Sequence, residues 1–134
     1  MPWYIFIHPA LQLFILILGI INLNEGFNQK KRWTFSVYRH VNRGFIFSIL
    51  AVIGAIIGWL VNQSLENPIQ ISGHRLIAFI IFIFLIFIVI SGLLKRKHSY
   101  RMRWLQFLHP WFGFVTIGLI FAQLFVVITK IIGW

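Results

Sequence analysis

Apolar residues fall in four long runs separated by short polar stretches. The runs cover about 3–23, 40–61, 75–94 and 104–129. A bilayer core of about 30 Å requires about 20 residues of helix, and every run is that long. Ile, Val and Phe also favour sheets, but barrel strands alternate polar with apolar residues, whereas residues 76–89 contain no polar side chain. Uninterrupted runs of this length predict helices. The linkers at 22–38, 62–72 and 95–103 are polar or basic and too short to fold as domains. Short linkers force neighbouring helices to run antiparallel. The expected fold is an all-α membrane protein: one antiparallel four-transmembrane-helix bundle over residues 1–134, with both termini on the same side.

Composition strengthens this. Of 134 residues 60% are hydrophobic and only 10% charged, against roughly a quarter charged in soluble domains, so a water-soluble globular fold is excluded. Twelve Lys/Arg stand against two acids, Glu25 and Glu66. Such an excess can mark nucleic-acid binding, but here the basic residues punctuate apolar runs, and no nucleic-acid partner is expected. In the up-down-up-down order, Lys30, Lys31, Arg32, Arg39, Arg43, Lys95, Arg96, Lys97, Arg101 and Arg103 share one end of the bundle. Arg75 and Lys130 lie at the other. The positive-inside rule places the ten-residue end in the cytoplasm or stroma, which puts both termini on the non-cytoplasmic side of a plasma (inner) or thylakoid membrane. The N-terminus has no basic n-region and no small-residue cleavage site before Glu25, so the first helix is expected to be retained. Trp3, Tyr4, Trp59, Trp104 and Trp134 fall where an interfacial aromatic belt is expected. With no cysteine, disulfides, thiolate metal sites, iron–sulfur clusters and covalent c-type haem attachment drop out. Two acids leave no basis for paired-carboxylate hydrolysis, and no catalytic residue is assigned.

Five histidines remain. His98 sits in a basic linker and reads as solvated. His8, His40, His74 and His109 occur one per run, each near the N-terminal end of its helix. Because the helices alternate in direction, His8 and His74 share one end of the bundle and His40 and His109 the other. Helices 1 and 3 are diagonal in a four-helix bundle, as are 2 and 4, so each pair can face the axis from opposite sides, as two axial ligands of one planar cofactor must. Position i+4 lies on nearly the same helix face. It is Gly44 behind His40, Ala78 behind His74 and Gly113 behind His109, which leaves room for a plate beside the ligand; behind His8 it is Gln12. Gly19, eleven residues from His8, and Gly92, eighteen from His74, return to the histidine faces, and Ala51, Gly54 and Gly58 lie along or beside that of His40. For any single helix, a hydrogen-bonding histidine and a small-residue packing stripe explain the same features. Four helices obeying one rule favour haem ligation. Zinc requires all its ligands to converge, and these pairs are expected near opposite membrane faces.

The segments His8-Pro9-Ala10-Leu11-Gln12, Arg39-His40-Val41-Asn42-Arg43-Gly44, Gly73-His74-Arg75-Leu76 and His109-Pro110-Trp111-Phe112-Gly113 together resemble the four-helix core of the cytochrome b561 family, over nearly the whole chain. The two further helices of the eukaryotic enzymes are missing, so the chain is more similar to the small bacterial or cyanobacterial members. The resemblance implies two non-covalent b-type haems, with axial pairs His8/His74 and His40/His109, and electron transfer across the membrane. It implies no particular donor, and ascorbate reduction is not carried over.

Arg39, Arg43 and Arg75 flank the histidines and are placed either to neutralise propionates or to snorkel at the interface. Gln12 and Gln123 are expected at similar depth, as a hydrogen-bonded pair or beside a haem. The expected donor and acceptor are a small reductant, quinone or redox protein, and a place in a larger membrane complex or a homodimer stays open. Two rival readings remain: a chlorophyll-binding small subunit of a photosynthetic complex, and a cofactor-free membrane anchor or assembly subunit.

Overall fold

A computed structural model describes residues 3–28, 37–65, 73–97 and 103–133. A short 3-10 turn, Trp3–Phe6, leads into α1 (Ile7–Phe27). The other helices are α2 (Val37–Gln63), α3 (His74–Lys97) and α4 (Arg103–Ile132). All four are long and apolar enough to cross a membrane.

The helices outrun the apolar runs that predict them. α1 continues through Asn22, Asn24 and Glu25, α2 begins at Val37, and Lys95–Lys97 extend α3, so much of the expected linker is helical. The cause is local: a helix ends where its last carbonyls find other donors, not where its side chains turn polar. At the end of α1 both the backbone N–H and the side-chain amide of Asn28 donate to Asn24 O. Ser64 closes α2 by donating its N–H to Leu60 O and Val61 O, and two glycines mark further helix ends. Gly133, at φ +85°, donates its N–H to Thr129 O at 3.1 Å and closes α4 in the left-handed conformation that costs glycine little. Gly73, at φ +79°, opens α3 by accepting the Ile77 N–H at 2.9 Å.

Among the described residues, α1 packs on α2 and α4, and α3 on α4 and α2. No close backbone approach joins α1 to α3 or α2 to α4. That ring of contacts is consistent with a four-helix bundle in which α1 and α3 form one diagonal and α2 and α4 the other. The middle is an apolar layer with two buried residues from each helix: Ile15 and Leu16, Phe47 and Ala51, Ile81 and Leu85, Ile120 and Leu124. Buried Ser48 and Thr116 satisfy their hydroxyls on carbonyls of their own helices, Gly44 O and Phe112 O. The outside is apolar too. Large side chains such as Phe79, Phe121 and Phe125 are exposed, as a lipid-facing surface requires. Trp3, Trp59 and Trp104 are exposed near helix ends, as an aromatic belt predicts. Lys30, Lys31, Arg32, Glu66, His98, Arg101 and Trp134 lie outside the described residues.

Candidate functional site

The four helix-borne histidines meet in two pairs, each across a diagonal. His8 of α1 and His74 of α3 have ring centres 6.4 Å apart with planes at 80°. His40 of α2 and His109 of α4 stand 6.1 Å apart at 72°. Backbones of diagonal helices do not touch, so these side chains reach across the bundle interior. The pairs lie at opposite ends, with the apolar layer between them.

Each end is built by glycines that the i+4 rule does not single out. A Cβ on Gly58 would stand 2.5 Å from both Cε1 and Nδ1 of His8. One on Gly26 would stand 2.9 Å from His40 Cε1, and one on Gly92 3.5 Å from His109 Cε1. Gly26, Gly58 and Gly92 each follow the histidine of their own helix by eighteen residues. That is five turns, about 27 Å of helix, and returns to the same face. Three of the four helices thus carry a histidine at one end and, at the other, a glycine that lies against a neighbour's imidazole. α4 departs from the pattern: Val127 occupies the equivalent place and, with His8, His74, Gln12 and Gln123, lines a cleft at the His8/His74 end. Gly26 was legible only as an eighteen-residue spacing, because it falls in a stretch whose polarity reads as linker.

Gly44 and Gly113 do something other than expected. Their missing Cβ atoms accommodate α1 side chains: Asn22 Nδ2 would lie 3.2 Å from a Cβ at Gly44, and Leu23 Cδ1 3.3 Å from one at Gly113. The slots read from sequence as space for a plate are where α1 packs. Asn22 Oδ1 is buried there and makes no hydrogen bond among the described residues. A buried acceptor in that condition invites a polar group or water.

Hydrogen bonds orient two of the imidazoles. His8 Nδ1 lies 2.9 Å from Gly54 O. A carbonyl only accepts, so Nδ1 carries the proton and Nε2 the lone pair. His109 Nδ1 lies 2.8 Å from Ser91 Oγ. Gln12 and Gln123 do come to the same cleft, but the Gln123 amide donates to His74 O at 2.8 Å, and Gln12 Nε2 lies against Gly54, 2.9 Å from where a Cβ would sit. Arg43 pairs with Glu25 at 2.8 Å, joining α1 to α2 at the basic end. Arg39 and Arg75 are exposed.

The geometry bears on which group the histidines could hold. Two imidazoles on opposite sides of one metal ion have nitrogens about 2 Å from it and ring centres about 1 Å further out, or roughly 6 Å between centres. Both pairs have that separation. Among the described residues no three His, Cys, Asp or Glu side chains converge. Each end therefore offers two imidazoles to a group held between them. Compared with known proteins, the chain matches no family model, no curated protein and no solved structure.

Proposed function

We propose that this chain is a di-haem b-type electron carrier of the membrane, similar in plan to cytochrome b561. The observation that carries the reading is the pair of cross-diagonal histidine contacts, 6.4 and 6.1 Å between ring centres, at opposite ends of four membrane-length helices. His8 and His74 would hold one haem b, and His40 and His109 the other. Each bound haem would supply a one-electron couple at its iron. With two histidines at each end, the protein would hold each haem by a pair of imidazoles, an arrangement that favours electron transfer over oxygen binding. It also aims the Nε2 lone pair of His8 through Gly54 O. The layer around Ile15, Phe47, Leu85 and Ile120 keeps water out of the space between the two ends.

The basic end belongs on the cytoplasmic or stromal side by the positive-inside rule, and electrons would enter and leave at opposite faces. Donor and acceptor are read as a small reductant, quinone or redox protein. The test is a visible spectrum of the protein purified from haem-replete cells. The expected result is a sharp b-type α band on dithionite reduction, with a pyridine haemochrome of two haems per chain. A colourless preparation overturns the reading in favour of an anchor or assembly subunit; an extractable chlorophyll overturns it in favour of a pigment-binding subunit.

A further inference from the structure

The two histidine pairs are alike in spacing but not in how their ligands are held. His8 is bonded by a main-chain carbonyl, Gly54 O. His109 is bonded by a side chain, Ser91 Oγ, at 2.8 Å. The same hydroxyl lies 3.1 Å from Ile88 O, one turn back on α3. Ser91 is 1% exposed, so neither bond is exchanged for one to bulk water.

A hydroxyl has one proton and two lone pairs. Ile88 O can only accept, so it takes the Ser91 proton. The oxygen then accepts from His109 Nδ1–H, and all three groups are satisfied. In the alternative, with Ser91 donating to His109 Nδ1, the bond to Ile88 O is lost. The first arrangement puts the proton on Nδ1 and the lone pair on Nε2, the same tautomer that Gly54 O imposes on His8. Gly92, next to Ser91, lies beside the imidazole, where a Cβ would stand at an ordinary contact distance of 3.5 Å from His109 Cε1.

We infer that Ser91 is a positioning residue for His109, relaying the Ile88 carbonyl to Nδ1 so that the imidazole presents a basic Nε2 to the bundle interior. The inference rests on the haem reading for what Nε2 ligates, but not for the hydrogen bond itself. A ligand imidazole that donates from its second nitrogen is a stronger base and better stabilises the more oxidised ion. Deleting the acceptor raises the reduction potential of the His40/His109 centre and weakens its hold on haem by about 10–100-fold. The His8/His74 centre is unaffected, because its acceptor is backbone.

The experiment compares wild type with S91A, S91T and S48A. Ser48 is a control: it is also buried, but among the described residues its hydroxyl bonds to Gly44 O alone. In haem-loaded protein, redox titration is expected to show one of the two b components shifted upward in S91A, the other unchanged, and both at wild-type positions in S91T and S48A. In haem-free protein, nitrogen-15 NMR of labelled histidine is expected to find His109 as the Nδ1–H tautomer in wild type, with S91A losing that preference. A haem-loaded protein in which S91A moves neither the potentials nor the His109 tautomer overturns the assignment of Ser91 alone. A wild type that takes up no haem overturns the cofactor reading and, with it, the ligand role, even where the tautomer result holds.

Discussion

The backbone of Gly58 lies against the imidazole of His8, with no space for a methyl group between them: a Cβ would stand 2.5 Å from both Cε1 and Nδ1. His8 cannot swing away without breaking its bond to Gly54 O, four residues earlier on the same helix. The G58A variant is expected to cost about 1–3 kcal/mol through overpacking and to displace the His8 ring. G26A, with 2.9 Å to His40 Cε1, should be milder, and G92A, at 3.5 Å, nearly neutral. Thermal unfolding in detergent ranks the three; an equal cost for all of them contradicts the contact geometry.

Histidine pairing makes a sharper spectroscopic prediction. H8A and H74A should each remove one and the same b-type component, and H40A and H109A the other. Low-temperature difference spectra of the four variants read this directly. If H8A and H40A abolish the same component, the cross-diagonal assignment fails.

Gln123 ties α4 to the first turn of α3 through His74 O. The near-isosteric Q123M removes that neutral hydrogen bond, at a cost of about 1 kcal/mol, and loosens the α3–α4 contact at the cleft end only. Hydrogen exchange should rise in the first turns of α3 and stay unchanged at Ser91 and Gly92. A uniform rise along α3 would mean that the bond is not local glue.

Orientation can be read by labelling, because the chain has no cysteine. Asn28 and Ser64 close α1 and α2 at opposite ends of the bundle. A single cysteine replacing Asn28 should react with an impermeant maleimide only from the cytoplasmic or stromal face, and one replacing Ser64 only from the other. Labelling of both from one face excludes the proposed topology.

The amino-acid sequence by itself determined the helices and their number, because a bilayer admits only helices or closed barrels and these long apolar runs lack the polar alternation of barrel strands. It also determined which histidines share an end, since one histidine near the start of each alternating helix admits a single grouping. Helix ends were less legible. Asn22, Asn24 and Glu25 are polar yet helical, and polarity marks where side chains meet water, not where backbone hydrogen bonds stop. Tertiary structure alone decided what lies beside each imidazole. Gly44 and Gly113, the obvious small neighbours, receive Asn22 and Leu23 of α1 instead. Gly26 and Gly58 do the cradling from adjacent helices, Gly92 sits at ordinary contact distance from His109, and Ser91 meets His109 across the α3–α4 seam. Periodicity reports the face on which a residue sits; its partner depends on the rotation and axial offset of two packed helices, which are set by contacts between residues far apart in the chain.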